Sequence, residues 1–234
     1  FDPVLCELAY RWFCPPTGMV VDPFAGGSVR GIVAGKLGRS YVGVDLRAEQ
    51  CDANERQADA ILKPSDAVAW VCGDSREMLA QLDPCDLVFS CPPYADLERY
   101  SDDERDLSTM DYADFRKAYA EIIARACELL KPDRFACFVV GDVRDDKGRY
   151  RNFVGHTVEA FEQAGMRLYN EAILVTAAGS LPIRAGKQFE STRKLGKTHQ
   201  NVLVFLKGDA RKATGAVGKV EFGAIEEAPA QGAV

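Results

Sequence analysis

The chain has 234 residues, enough for one sizeable α/β domain or one domain with a small appendage. Apolar residues make up 47% of it and charged residues 27%, an ordinary globular balance, and no stretch approaches a membrane span. The net charge of −6 excludes a protein coated in positive charge, so any contact with nucleic acid has to be confined to one basic face.

Taken in order, residues 3–13 carry apolar side chains at helical spacing (Val4, Leu5, Leu8, Ala9, Trp12) and predict a helix that ends before Pro15-Pro16. A strand over Met19–Asp22, a helix over Val29–Leu37 and a strand over Tyr41–Asp45 follow. The polar stretch Ala48–Ile61 predicts a helix, Val68–Cys72 a third strand, and Arg76–Gln81 a short helix that Ser75 could cap. Asp86–Ser90 is the fourth strand, and the acidic stretch Asp96–Asp111 reads as a loop. Asp111 opens a long helix to Leu130, stopped at Lys131-Pro132-Asp133, and Phe135–Val140 is strand five. Arg144–Arg151 reads as a charged loop and Thr157–Ala164 as a helix. The pattern closes with an antiparallel pair, Glu171–Thr176 and Gln200–Leu206, joined by a long basic connection, Ala177–His199. Residues 1–208 are expected to form one catalytic domain and residues 209–234 a partly disordered tail.

The chain starts at Phe1 rather than Met, as expected of a processed or excised chain with a portion missing upstream, and no signal peptide is visible. The eight cysteines form no Cys-x-x-Cys pair and only His156 and His199 could complete a site, so no metal is expected. Free thiols in apolar strands fit a reducing cytoplasm.

Two stretches carry chemistry. In the first, an apolar strand ends in Asp22-Pro23-Phe24-Ala25-Gly26-Gly27-Ser28, a helix follows, and a second strand ends at Asp45-Leu46. Strand, glycine turn, helix, strand and acid make a nucleoside-binding βαβ unit, in which glycines let the backbone approach a ligand and the acid accepts ribose hydroxyls. The Gly-x-Gly-x-x-Gly of a dinucleotide site is absent. The bland alternatives stay open: Asp45 or Asp74 could only cap a helix, and Gly26-Gly27 could only turn the chain. The second stretch is Ser90-Cys91-Pro92-Pro93-Tyr94, again at a strand end.

Together these stretches resemble the amino-methylating DNA methyltransferases, whose motifs are Asp-Pro-Phe-x-Gly-x-Gly and Asp, Asn or Ser before Pro-Pro-Tyr. The likeness spans residues 1–207, with Ser28 in place of the last glycine and Cys91 in place of the oxygen-bearing residue. It implies a Rossmann-like methyltransferase fold: a mostly parallel seven-stranded sheet, a C-terminal antiparallel hairpin, and helices on both faces. It also implies S-adenosylmethionine, with Asp22 to Ser28 under its amino acid moiety, Asp45-Leu46 at the ribose and Asp74-Ser75 near the adenine. The substrate implied is adenine N6 or cytosine N4 of a base flipped out of double-stranded DNA onto Cys91-Pro92-Pro93-Tyr94. The location implied is the cytoplasm, as for an intracellular enzyme of the bacterial or phage type.

Cys91 leaves three readings. It serves as a small Ser-like acceptor with the Pro92 carbonyl taking the second amine hydrogen; or Ser90 or Asp142 supplies the acceptor; or Cys91 is a nucleophile, as in carbon-5 methylation. Residues 96–114 carry eight acids and two bases, and residues 184–212 eight bases and two acids. Arg184, Lys187, Arg193, Lys194 and Lys197 are therefore the expected phosphate contacts, and acidic Asp96 to Asp106 is expected to face away, reorganise or meet that basic segment. About sixty residues separate the two motifs, too few for a sequence-reading domain, and none is obvious after Tyr94. Either the specificity is short, or the reader lies upstream or in another chain, as a separate recognition domain or subunit or in a homodimer. The alternatives are an RNA methyltransferase, such as a guanine-N2 enzyme, and a catalytically weak module that binds DNA or a partner.

Overall fold

A computed structural model describes residues 1–177, 179 and 181–220, the side chains of residues 96 and 181–184 excepted. Its centre is a seven-stranded sheet of β1 (Met19–Asp22), β2 (Ser40–Asp45), β3 (Val68–Cys72), β4 (Cys85–Ser90), β5 (Leu130–Val140), β6 (Arg167–Val175) and β7 (His199–Lys207). The order is β3-β2-β1-β4-β5-β7-β6. All neighbours pair in parallel except β7, which runs antiparallel to both β5 and β6, as the sequence pattern predicts.

Eight helices flank the sheet among the described residues: α1 (Pro3–Phe13), α2 (Val29–Lys36), α3 (Ala48–Ile61), α4 (Ser75–Met78), α5 (Tyr112–Leu129), α6 (Phe153–Gln163), α7 (Leu181–Thr192) and α8 (Ala210–Val217). Helix α1 starts where Asp2 accepts from the Val4 and Leu5 amides and Pro3 needs no partner for its nitrogen. Asp111 caps α5 in the same way, accepting from Ala113 and Asp114.

Strand β5 shows how one sequence serves two cores. Its side chains alternate, so Ala136, Phe138 and Val140 join the layer under α5 and α6, while Phe135, Cys137 and Val139 join the layer under α1, α2 and α8. Every residue of β4 is buried, as expected for a central strand covered on both faces. Phe161 of α6 stacks on Phe205 of β7 at 3.9 Å between ring centroids.

Several boundaries differ from the sequence reading. Asp74, not Ser75, caps α4, and the helix tightens into a 3-10 turn at Leu79–Gln81. Helix α5 ends at Leu129, just before Lys131-Pro132-Asp133 as expected, but the following strand begins at Leu130, ahead of the left-handed Asp133, and not at Phe135. Helix α6 starts at Phe153, with left-handed Asn152 turning the chain into it. The connection between β6 and β7 contains α7, and the start of the expected tail folds as α8, which buries Ala213 and Val217 against the sheet. Residues 221–234 lie outside the described residues. No helix among the described residues is long and apolar enough to cross a membrane.

Candidate active site

The chain crosses from β1 towards β2 on one side and from β4 towards β5 on the other, so the carboxyl ends of β1 and β4 open a crevice between them. The two motifs meet there. Ser90, the last residue of β4, donates its hydroxyl hydrogen to Asp22 Oδ1 at the end of β1. Asp22 is fully buried and also accepts from Arg30 Nε, from the Tyr41 hydroxyl at 3.0 Å and from the Phe24 amide at 3.1 Å. Arg30 Nη2 donates to the carbonyls of Phe24 and Ala25, both at 2.7 Å. One buried ion pair thus fixes the shape of the glycine turn.

Beside this hub lies a cavity of about 480 Å³. Of the residues expected at a cofactor, Pro23, Phe24, Gly26, Gly27, Asp45, Leu46, Asp74 and Ser75 line it. Asp22, Ala25 and Ser28 do not: Asp22 is the buried hub, Ala25 is fully buried with its amide on Val44, and Ser28 bonds Gln57. Gly26 has a left-handed φ of +50°, and a Cβ at either Gly26 or Gly27 would meet nothing within 4 Å. Asn54 holds the Gly26 carbonyl at 2.7 Å, and Asp45 Oδ2 accepts from the Gly26 amide at 3.0 Å. Asp45 also accepts from the Arg47 amide, and burial raises its carboxyl above the usual range against those bonds. At Asp74 burial pushes upward too, but the Arg76 side chain and amide outweigh it and hold the carboxyl low. Ser75 gives its hydroxyl hydrogen to the Pro23 carbonyl at 2.7 Å, which ties the tip of β3 to the glycine turn.

Cys91, Pro92, Pro93 and Tyr94 line the same cavity. Ser90 does not; it is fully buried and its hydroxyl is committed to Asp22. The Tyr94 hydroxyl accepts from Gln200 Nε2 of β7 at 2.5 Å. Burial raises the Cys91 thiol, with Arg30 and Tyr94 pulling the other way, so the group stays a neutral thiol near pH 7. The Tyr94 ring is held edge-on by Phe153 at 5.8 Å. Asp142, the other acceptor considered, accepts from the Val154 amide at the start of α6.

The acidic stretch folds into two 3-10 turns, Ala95–Leu97 and Leu107–Thr109, and Leu97, Glu98, Tyr100, Arg105, Asp106 and Leu107 form a wall of the cavity. The basic segment reaches the other rim. A Cβ on Gly141 would lie 3.4 Å from Lys197 Nζ and 3.9 Å from the Tyr94 hydroxyl, and one on Gly148 would strike Lys194. Burial lowers Lys197, opposed by Asp142. Lys187 and Arg193 are exposed on and just after α7; the Arg184 side chain lies outside the described residues.

Arg30, Tyr41, Asn54, Glu98, Tyr100 and Gln200 are absent from the sequence expectations. Arg30 gave no local signal, because its partner lies on another element, and Gln200 lies 106 positions from Tyr94.

No protein-family model matches the sequence, and no curated protein matches it. Solved structures do share its fold. TrmN from Thermus thermophilus has a TM-score of 0.58 at 15% identity, over 88% of this chain and 49% of that one. Magnesium protoporphyrin IX methyltransferase from Synechocystis, solved with bound SAM, gives 0.55 at 9% identity, over 88% and 76%. Precorrin-6y C5,15-methyltransferase from Geobacter metallireducens gives 0.54 at 12%, over 88% and 86%. The chain spans about half the length of TrmN. At these identities the likeness establishes the fold, a Rossmann-like methyltransferase sheet.

Proposed function

We propose that the chain is an S-adenosylmethionine-dependent methyltransferase acting on an exocyclic amine, adenine N6 or cytosine N4, of a flipped base in DNA. One observation carries the reading: the glycine turn and the Pro-Pro-Tyr turn line one cavity, with Asp22 and Ser90 bonding their strands together.

The cofactor fits the residues present. Gly26 and Gly27 face open space where side chains would intrude, Asp45 offers a carboxylate at the end of β2, and Asp74 lies on the far wall. When bound, the cofactor supplies a methyl group on a sulfonium sulfur. The chain's own residues do the rest by alignment. Tyr94, locked by Phe153 and Gln200, offers its ring to a flipped base, and the rigid Pro92-Pro93 turn offers a carbonyl to an amine hydrogen. Lys187, Arg193, Lys194 and Lys197 would bind phosphates at the rim.

The fold also serves methyltransferases named for a porphyrin and a precorrin, so it does not choose the acceptor. The nucleobase assignment rests on the Cys91–Tyr94 turn, and the choice of DNA over RNA on the resemblance of both motifs. Calorimetric titration with S-adenosylmethionine, followed by tritiated methyl transfer into mixed DNA and mixed RNA and nucleoside mass spectrometry, tests both levels. N6-methyladenine or N4-methylcytosine in DNA is the expected product. Labelled RNA alone selects the RNA enzyme, binding without transfer selects a binding module, and no binding removes the assignment.

A further inference from the structure

An amine held for methylation needs oxygen acceptors for its hydrogens, and the catalytic turn is short of them. The residue at position 91 is a thiol, a weak acceptor. Ser90 is committed to Asp22.

Four carboxylates with described side chains line the cavity, from Asp45, Asp74, Glu98 and Asp106. Asp45 accepts the Gly26 and Arg47 amides, and Asp74 is gripped by the side chain and amide of Arg76. Asp106 takes the Ser101 hydroxyl at 2.7 Å and the Ser108 amide at 2.8 Å. Glu98 differs. Among the described residues its carboxylate has one hydrogen-bond partner, the Tyr100 hydroxyl, at 2.9 Å on Oε2.

The segment bearing Glu98 is pinned at both ends. The Leu97 amide bonds the Tyr94 carbonyl at 3.2 Å, so the segment leaves directly from the catalytic turn, and the Tyr100 amide bonds Ser108 Oγ at 3.1 Å. Burial, then Glu98 itself, and further out Cys91, push the Tyr100 phenol up to about 12, so it keeps the hydrogen that steers the carboxylate.

We infer that Glu98, steered by Tyr100, is the acceptor that binds the substrate's exocyclic amine in the cavity beside Cys91 and Tyr94; this rests on the amine-methyltransferase reading above. A carboxylate accepts N–H hydrogens in charge-assisted bonds and repels a carbonyl oxygen at the same place. Glu98 therefore favours the amino bases and disfavours a base with a keto oxygen there.

The test uses the full chain without cofactor and thymidine oligonucleotides carrying one central base. That base is adenine, cytosine, or the amine-free counterpart purine or pyrimidin-2-one. The wild type should bind one amino base about tenfold more tightly than its amine-free counterpart, the scale of one hydrogen bond to a charged group. Glu98→Ala should erase that preference while leaving affinity for the amine-free strands and for S-adenosylmethionine unchanged, and Tyr100→Phe should weaken the preference partway. A preference that survives in Glu98→Ala, or is missing from the wild type, overturns the inference. So does a loss of S-adenosylmethionine affinity in Glu98→Ala, which would give the carboxylate to the cofactor's ammonium. Failure of the wild type to bind S-adenosylmethionine strikes the proposed function instead, and the two failures are read in separate titrations.

Discussion

Ser90 and Asp22, 68 positions apart, are joined by a hydrogen bond between the ends of β4 and β1. That bond fixes the distance between the glycine turn and the Pro-Pro-Tyr turn, and it occurs at a carboxylate that already neutralises a buried guanidinium. The motif aspartate therefore acts through the shape it imposes on the turn.

Asp22→Asn leaves Arg30, only 5% exposed, without its counter-charge. The expected loss of stability is about 3–5 kcal/mol, the cost of breaking a buried pair from one side. Ser90→Ala leaves Asp22 its other partners and should cost about 1–3 kcal/mol. Urea unfolding of both variants checks the order. If Asp22→Asn unfolds at the wild-type midpoint, the buried pair does not hold the turn.

Much of the fold was legible in the sequence because its signals are local. Apolar runs ending in Asp22, Asp45 and Ser90 mark strand ends. The site was half legible. Motif spacing brought Gly26, Gly27, Asp45 and Tyr94 to one crevice, but it could not separate residues that face the cavity from those that brace it. Asp22, Ser28 and Ser90 brace, and only their burial reveals that. The acidic stretch carries no helix or strand period, so nothing in its sequence signals the 3-10 turns that fold it over the cavity.

Gly26→Ala and Gly27→Ala separate strain from occupancy. Gly26 has a left-handed φ, so alanine there should cost about 1–2 kcal/mol of stability, whereas Gly27→Ala should unfold like the wild type. Both methyl groups would point into open cavity, so both variants should lose roughly tenfold in S-adenosylmethionine affinity, about 1.4 kcal/mol, by calorimetry. Unchanged affinity in both would put the cofactor somewhere other than against this turn.

Cys91 should behave as a thiol and not as a nucleophile. Its deprotonation is pushed above the ordinary value of 9.0 by burial, so the reactive thiolate is scarce at pH 7 and grows only as pH rises beyond that value. Alkylation by iodoacetamide, followed on the Cys91 peptide by mass spectrometry, should be slow at pH 7 and accelerate only in alkali. Cys91→Ser should keep or raise amine methylation. Fast alkylation at neutral pH, together with a dead Cys91→Ser variant, would return the carbon-5 nucleophile to consideration.

The basic rim makes a prediction that depends on salt. Lys187 and Arg193 are exposed, while Lys194 is half-buried against Gly148 and Lys197 is half-buried beside Gly141 and Tyr94. If each binds one phosphate, replacing any of them by Gln should reduce the slope of log affinity against log salt by about 0.9 on duplex DNA and about 0.7 on single strands. For Lys187, Arg193 and Lys194, methyl transfer at saturating DNA should stay unchanged, since a phosphate contact positions the strand without touching the reacting base. Lys197→Gln should lower transfer as well, because burial beside Tyr94 puts its ammonium where a flipped nucleotide has to enter. Fluorescence anisotropy across a salt series, paired with transfer assays, separates the two effects. Four variants with wild-type salt slopes would mean that the substrate approaches from another side of the sheet.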